Sequence, residues 1–398
     1  MFLFLFQILQ KVIKVITDNM LSYFGGFKRL IQFKRCLIDN TTFRLHYQYT
    51  FTILCISSLL TTSKQYFGDP IDCIVNGVPL SLFKTYCWIH GTFTLPSKLT
   101  GQEFPYPGVG PFTSSDPNLV EVTKDGDEIR HAWYQWVVFV LFLQAILCYI
   151  PHFLWKHWEG GKLSLLLQNL SENTLDTDSE ASKERRAIIV NYILKNIRTH
   201  NLYVFKFIFC EFLNLVNIIG QMYLMNSFLG GQFTTYGIEV LSMTNLDMEK
   251  RFDPMAKIFP KMSKCIFQQY GPSGTIMKHD GLCILPINVI NEKIYIFLWF
   301  WFLALITWSC VFFAFRVVTI ISKHFRYLVF CGRSKSSNRG DITMIMEKLW
   351  FGDWFILMQL YKNMNPMVFH HLVIDLKEVM DNPSLDLPQI VVSPISSL

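Results

Sequence analysis

The sequence predicts an all-α membrane protein with four transmembrane helices, and three observations lead to that class. Apolar residues make up 51% of the chain and charged residues only 17%, whereas a soluble domain carries about 25% charged residues. The apolar residues are concentrated in four stretches that are long enough to cross a bilayer. Four of the ten cysteines form two pairs, and each pair lies in a polar segment between two of these stretches.

The N-terminal part of the chain combines a basic segment with the first span. Residues 1–44 precede that span, and within them residues 20–35 have the apolar and basic pattern of a short amphipathic helix. Such a helix would either lie against lipid headgroups or enter a pore. The first span, residues 45–63, is rich in serine and threonine. Hydroxyls in a membrane helix usually bond to their own backbone or to a neighbouring helix, but they would also suit a wall that faces water.

A long polar loop and the second span come next. Residues 64–132 contain the first cysteine pair and several prolines, which predicts irregular structure with a strand or two. Residues 133–154 form the second span, which begins at Trp133 and is followed by Trp155 and Trp158. Aromatic residues at both ends of an apolar run mark the two membrane interfaces.

The third span differs from the second because it carries polar side chains. Residues 155–202 before it are polar, first acidic and serine-rich and then basic with a helical pattern. The span itself, residues 203–229, has four polar residues within about a third of the helix circumference, namely Glu211, Asn214, Asn217 and Gln221. Polar groups at membrane depth face protein or water, so these residues would form interhelical contacts or line a vestibule.

The second loop, the fourth span and a polar tail complete the chain. Residues 230–293 form the loop with the second cysteine pair, and residues 294–319 form a span dense in phenylalanine and tryptophan. The tail, residues 320–398, contains two amphipathic stretches at 341–361 and 366–380. These stretches predict a helical C-terminal region.

The distribution of charge orients the spans. The two terminal segments are basic near the membrane, with Lys28, Arg29, Lys34, Arg35 and Arg44 on one and Arg316, Lys323, Arg326 and Arg333 on the other. The flanks of the two cysteine loops have far fewer basic residues. Because basic residues are enriched on the cytosolic side of a membrane, both termini are predicted to be cytosolic. The cysteines Cys73, Cys87, Cys265 and Cys283 then lie outside, where disulfides persist. Four cysteines allow three pairings, and their spacing does not choose among them.

Several classes of function are excluded by what the sequence lacks. The net charge of +6 fits basic cytoplasmic flanks, and no segment offers the basic face with interleaved aromatics that nucleic-acid binding needs. Neither a phosphate-binding loop nor a metal-ligand motif is present, so we expect neither an enzyme nor a cofactor or metal site. A four-helix haem reductase would need facing histidines inside the spans, and the predicted third and fourth spans have none.

Several short motifs are distributed along the chain. At the second span, Tyr134, Gln135, Trp136 and Val137 follow Trp133. The others are FRLHY at 43–47, QYFGDPIDC at 65–73, YCWI at 86–89, WEGG at 158–161, FPK at 259–261, CILP at 283–286 and GDW at 352–354. These motifs resemble those of the innexins, the invertebrate gap-junction proteins, whose signature at the second span usually has a tyrosine where Trp133 stands. The similarity covers residues 20–376.

The resemblance implies a multi-pass plasma-membrane protein of cell–cell junctions. Subunits of this chain, alone or with other innexins, would form an octameric ring in membrane lipid, and that hemichannel would dock with one of the neighbouring cell. Ions and small molecules would pass by diffusion. The resemblance pairs Cys73 with Cys283 and Cys87 with Cys265, and it implies a pore lined by the N-terminal segment and the first span, with Thr50, Ser57 and Thr61 as candidates.

Two other functions remain open from the sequence. An undocked large-pore channel would release small molecules from single cells, as the related pannexins do. A mainly adhesive or scaffolding junction protein would carry no current.

The start of the chain departs from the family pattern. Innexins usually begin a short distance before the motif that here starts at Asp39, and the residues from Met20 resemble such a beginning. We therefore expect Met20 to be the working initiator and residues 1–19 to be an extension, because extra bulk would obstruct a pore-lining terminus.

Overall fold

The computed structural model describes two compact units of the chain, in residues 36–95, 108–109, 128–167, 180–243, 254–333 and 339–381. The sheet unit contains the described parts of residues 42–153 and 210–314. The helical unit contains the described parts of residues 1–41, 154–209 and 315–398. The amphipathic segment at 20–35 and the start expected at Met20 lie outside the described residues.

Three long helices correspond to the second, third and fourth predicted spans. They are α4 (Val137–Glu159), α7 (Asn201–Phe228) and α10 (Pro286–Ile321), and within the described part of the chain only these are long and apolar enough to cross a membrane. A short 3₁₀ turn, Trp133–Gln135, precedes α4. The fourth helix begins eight residues earlier than predicted, at Pro286, because the fixed φ of proline suits the first position of a helix.

The predicted first span is helical but does not meet the same criteria. It lies in a continuous helical stretch made of α1 (Thr41–Arg44), a π-helical segment (Leu45–Thr50) and α2 (Phe51–Phe67). The α2 part has 17 residues, whereas a transmembrane helix needs about 20 apolar residues. The prediction of four spans is therefore supported by apolar helices for three of them.

The two cysteine loops together build one antiparallel sheet in the order β1-β5-β4-β2-β3. Three short strands come from the first loop, β1 (Asp72–Ile74), β2 (Thr92–Thr94) and β3 (Ile129–His131). A hairpin of β4 (Met262–Tyr270) and β5 (Ile276–Ile284) comes from the second loop. The helix α3 (Leu80–His90) connects β1 to β2, and two further helices, α8 (Phe233–Met243) and α9 (Pro254–Ile258), precede the hairpin.

The helical unit has a core built around one buried helix. Its elements are α5 (Lys162–Leu166), α6 (Glu180–Lys195), α11 (Lys323–Arg333), α12 (Arg339–Lys348), α13 (Phe351–Asn363) and α14 (Pro366–Asp381). The prediction of one amphipathic stretch at 341–361 is wrong, because α12 ends at Lys348 and a separate helix, α13, begins at Phe351. Helix α13 is buried on all sides from Gly352 to Leu360, so this part of it has no face exposed to water.

Candidate functional site

Two disulfides join the first cysteine loop to the second. Cys73 on β1 and Cys283 on β5 are direct cross-strand partners, with their sulfurs 2.07 Å apart. Cys87 on α3 is bonded to Cys265 on β4, with an S–S distance of 2.02 Å. The bonds close separations of 210 and 178 residues. We call the sheet, α3 and these two bonds the disulfide module.

The disulfides lie inside an apolar core rather than on the surface of the module. All four cysteines are buried, and the side chains that pack with them in the same cluster include Ile71, Phe83, Tyr134 and Leu285. The sulfurs of Cys73, Cys87 and Cys283 lie within 4.8 Å of one another. Because all three belong to disulfides, no thiolate is left among them to bind a metal.

The innexin-like signature at the second span anchors α4 to this core. Tyr134 is fully buried, with its ring centroid 5.0 Å from that of Trp88. Gln135 donates from Nε2 to the backbone carbonyl of Trp88. Val137 is buried, whereas Trp136 is exposed. The signature therefore connects the end of α3 to the start of a long apolar helix.

Gly281 allows α3 to lie directly against β5. A Cβ at this position would be 2.4 Å from the ring of Phe83, which is fully buried. The ring of Phe83 thus occupies the space that a side chain at position 281 would fill. This contact could not be predicted from the sequence, because the two residues come from different loops.

One histidine of the module is held in the neutral form. His131 on β3 is buried and its Nε2 lies 2.8 Å from the hydroxyl of Thr94 on β2. Burial lowers the pKa of His131 to about 4, because desolvation disfavours the charged imidazolium. At neutral pH this side chain therefore adds no charge to the module.

The far end of the hairpin exposes apolar side chains. Tyr270 is 76% exposed, and Ile276 and Met277 beside it are also exposed. The turn between the strands uses Gly274, whose φ of +79° suits glycine. Exposed apolar residues grouped on one surface are typical of sites that contact another protein.

The three hydroxyl groups that were candidates for the pore wall are buried within the single chain. Thr50 and Thr61 are fully buried and Ser57 is nearly so. Thr50 donates to the carbonyl of Leu45 at 2.8 Å and accepts from Trp301 Nε1 at 2.9 Å. Thr61 donates to the carbonyl of Ser57 at 3.0 Å. Their burial within the single chain favours helix packing over a pore lining for these three residues.

One polar side chain of the third span, Asn217, contacts a neighbouring helix. Asn214 and Gln221 are buried on α7. Gln221 Nε2 donates to Asn217 Oδ1 at 3.3 Å, and Asn217 Nδ2 contacts Cys148 Sγ on α4 at 3.6 Å. The burial of Asn214 and Gln221 and the contact of Asn217 with α4 favour helix packing, rather than a vestibule lining, as the role of this polar face.

A buried carboxylate holds the start of α7 in the helical unit. Asp353 accepts from the backbone N–H of Arg198 and Trp350, each with an oxygen 3.2 Å away, and its Oδ1 lies 2.7 Å from His200 Nδ1. A Cβ on the preceding Gly352 would lie 2.7 Å from backbone atoms of the 200–201 peptide. The motif GDW at 352–354 contributes to the family resemblance, but the sequence alone does not indicate that Asp353 bonds to the residues before α7.

Comparison with known protein families identifies the family of this chain. A family model described as Innexin matches residues 39–380, which is most of the chain. The chain belongs to the innexin family. The resemblance drawn from the short motifs is confirmed, and this innexin is a subunit of gap-junction channels at the plasma membrane.

Several insect innexins are similar to it over nearly their whole length. Innexin inx2 of Drosophila melanogaster is 45% identical over 365 residues, which cover 91% of this chain and 96% of the relative. Innexin inx2 of Schistocerca americana is 44% identical over 370 residues, which cover 92% of this chain and 100% of the relative. Innexin shaking-B of Drosophila melanogaster is 43% identical over 362 residues, which cover 90% of this chain and 94% of the relative.

Proposed function

We propose that four helices of each subunit cross the membrane, with both termini in the cytosol and the disulfide module outside the cell. The observation that carries this proposal is the pair of disulfides between the two loops. Two apolar helices, α4 and α7, separate these loops along the chain, so two crossings return the second loop to the side of the first. Disulfides persist in oxidising compartments, which supports the extracellular side.

The continuous helical stretch from Thr41 to Phe67 is the proposed remaining crossing. At 1.5 Å per residue its length is about 40 Å, which exceeds the ~30 Å thickness of the hydrocarbon core. Residues 45–63 contain no Asp, Glu, Lys or Arg. Arg44 and Lys64 stand at the two ends of this uncharged run, where they can reach the headgroups.

Eight such subunits, of this chain alone or with other innexins, are proposed to close into a ring in membrane lipid. Closed cyclic symmetry lets one surface patch be reused around the ring. Two rings then dock through their disulfide modules, and the exposed apolar hairpin end with Tyr270 and Ile276 supports such contacts. Ions and small molecules pass by diffusion, without a chemical step or a cofactor.

Paired-cell electrical recording tests this function against the two alternatives. We expect current between two cells that both express the protein, and none when only one cell of the pair does and its partner has no innexin. Current in single cells without junctional current would instead favour an undocked channel. Adhesion without current in either configuration would favour a mainly adhesive protein.

The exposed face of α2 is the proposed pore wall, in place of the buried hydroxyls. At 100° per residue, Ile56, Leu59, Ser63 and Tyr66 fall on one side of the helix, and Thr61 falls on the opposite side. Leu59, Ser63 and Tyr66 are exposed, and Ile56 is half-buried. This face combines the exposed hydroxyls of Ser63 and Tyr66 with the apolar side chain of Leu59.

Cysteine substitution at two hydroxyl positions should separate the two faces of α2. We expect Ser63→Cys to be modified by a small charged thiol reagent, with a change in hemichannel current, because its side chain is exposed. Thr61→Cys is the matched control and should react no faster than the wild type, because Thr61 is fully buried. Faster modification at position 61 than at position 63 would contradict the proposed pore wall.

A further inference from the structure

The helical unit contains a cavity that the channel function does not explain. Its volume is about 250 Å³, and its lining includes Trp158, Lys162, Tyr203, Lys206 and Gln359. Trp158 lies in the last turn of α4, and Tyr203 and Lys206 lie near the start of α7. The cavity is therefore lined by the ends of two helices that are apolar enough to cross a membrane.

The lining of the cavity is basic, and buried carboxylates contact two of its members, Leu163 through Glu159 and His200 through Asp353. Lys162 and Lys206 line the cavity, and its described lining contains no aspartate or glutamate. The ammonium group of Lys206 lies 5.8 Å from the ring centroid of Trp158, and in the described part of the chain neither lysine is paired with a carboxylate. An anion is the ligand that this arrangement favours.

The cavity wall also holds a buried acceptor that has no donor. Gln359 on α13 is 2% exposed, and its Oε1 has no hydrogen-bond partner among the described residues. Buried polar atoms are nearly always hydrogen-bonded. A ligand that fits both features has an anionic group for the lysines and a hydroxyl group for Gln359.

We propose that this cavity binds a phosphorylated headgroup that carries hydroxyls, of the kind found in inositol phospholipids. Its volume is below the ~300–1,000 Å³ of pockets for drug-sized ligands, so it suits a headgroup rather than a whole lipid. Basic pockets between transmembrane helices on the cytoplasmic side bind such headgroups, and tryptophan is enriched at the membrane interface. The inference rests on the proposed function only for the cytosolic placement of this unit.

Lipid binding to the purified full-length channel tests the site. In nanodiscs of phosphatidylcholine with added phosphatidylinositol phosphate, we expect Lys162→Gln/Lys206→Gln to weaken binding roughly 30-fold, given the contribution of each lysine near an anionic lipid. The matched control is Lys156→Gln/Lys323→Gln, which removes two exposed lysines that do not line the cavity. Equal weakening in both double variants would overturn the proposal, because it would indicate only a general attraction to the membrane.

A second variant tests the hydroxyl contact. Gln359→Met removes the orphan acceptor at similar size, and we expect the preference for phosphatidylinositol phosphate over phosphatidic acid to be lost. An unchanged preference would refute the role of Gln359. Competition by soluble inositol phosphate at equal affinity would identify a free headgroup, rather than a lipid, as the ligand. Junctional current is recorded separately, so a failure of lipid binding remains distinguishable from a failure of channel function.

Discussion

Replacing Cys73 with serine should abolish junctional current. The bond to Cys283 joins β1 to β5 directly, and it closes a separation of 210 residues. Loss of a native disulfide costs about 2–5 kcal/mol in small extracellular domains. Because β1 has only three residues, little else holds this edge of the sheet to the hairpin. We expect β1 to detach from β5 and docking to fail because this edge of the module is distorted, while the Cys87–Cys265 bond still joins the two loops.

Surface labelling and paired-cell recording measure this effect together. The variant should still be made as a membrane protein, while its junctional current falls to the level of cells without the channel. The double variant Cys73→Ser/Cys283→Ser removes the remaining free thiol and should behave in the same way. Cys310→Ser is the matched control, since Cys310 is a free and exposed cysteine. Normal docking in the Cys73 variants would show that the bond is dispensable.

Replacing Asp353 with asparagine should destabilise the helical unit by more than about 3 kcal/mol. The carboxylate is fully buried and accepts from two backbone N–H groups beside His200. An asparagine keeps one acceptor oxygen and turns an NH₂ group toward groups that donate. Each buried polar group left unsatisfied costs about 1–3 kcal/mol, and several would be affected together.

Thermal unfolding and limited proteolysis of the purified channel measure the loss. Glu347→Gln removes an exposed carboxylate on α12 and should change the free energy of unfolding by no more than ~0.5 kcal/mol. If Asp353→Asn unfolds at the same temperature as this control, the buried carboxylate does not hold α13 to the start of α7.

The neighbouring glycine supplies a second test of the same contact. Gly352→Ala places a Cβ 2.7 Å from backbone atoms of His200 and Asn201, which cannot move as a flexible side chain could. We expect a loss of stability comparable to that of Asp353→Asn. Gly340→Ala is the control, because a Cβ there meets no atom within 4 Å. Equal unfolding temperatures for the two alanine variants would contradict the close approach.

Sequence alone determined the class of this protein, the positions of its long apolar helices and the two loops that carry the cysteine pairs. Hydropathy and charge bias are local properties, because a span must be apolar whatever it packs against. The short motifs added the family, and with it the implied pairing of Cys73 with Cys283. Helix ends were less well predicted, as the early start of α10 at Pro286 illustrates.

Only the tertiary structure decided which face of a helix meets which neighbour. A hydroxyl-rich face suits water and helix packing equally well, and the bond from Trp301 to Thr50, distant in sequence, was needed to choose between them. The same holds for Gly281 and Gly352, since a glycine gives no sign of which side chain or backbone segment will occupy the space beside it. Local sequence fixes where a chain can span and cross-link, and long-range packing fixes which surfaces remain to line a pore or to dock.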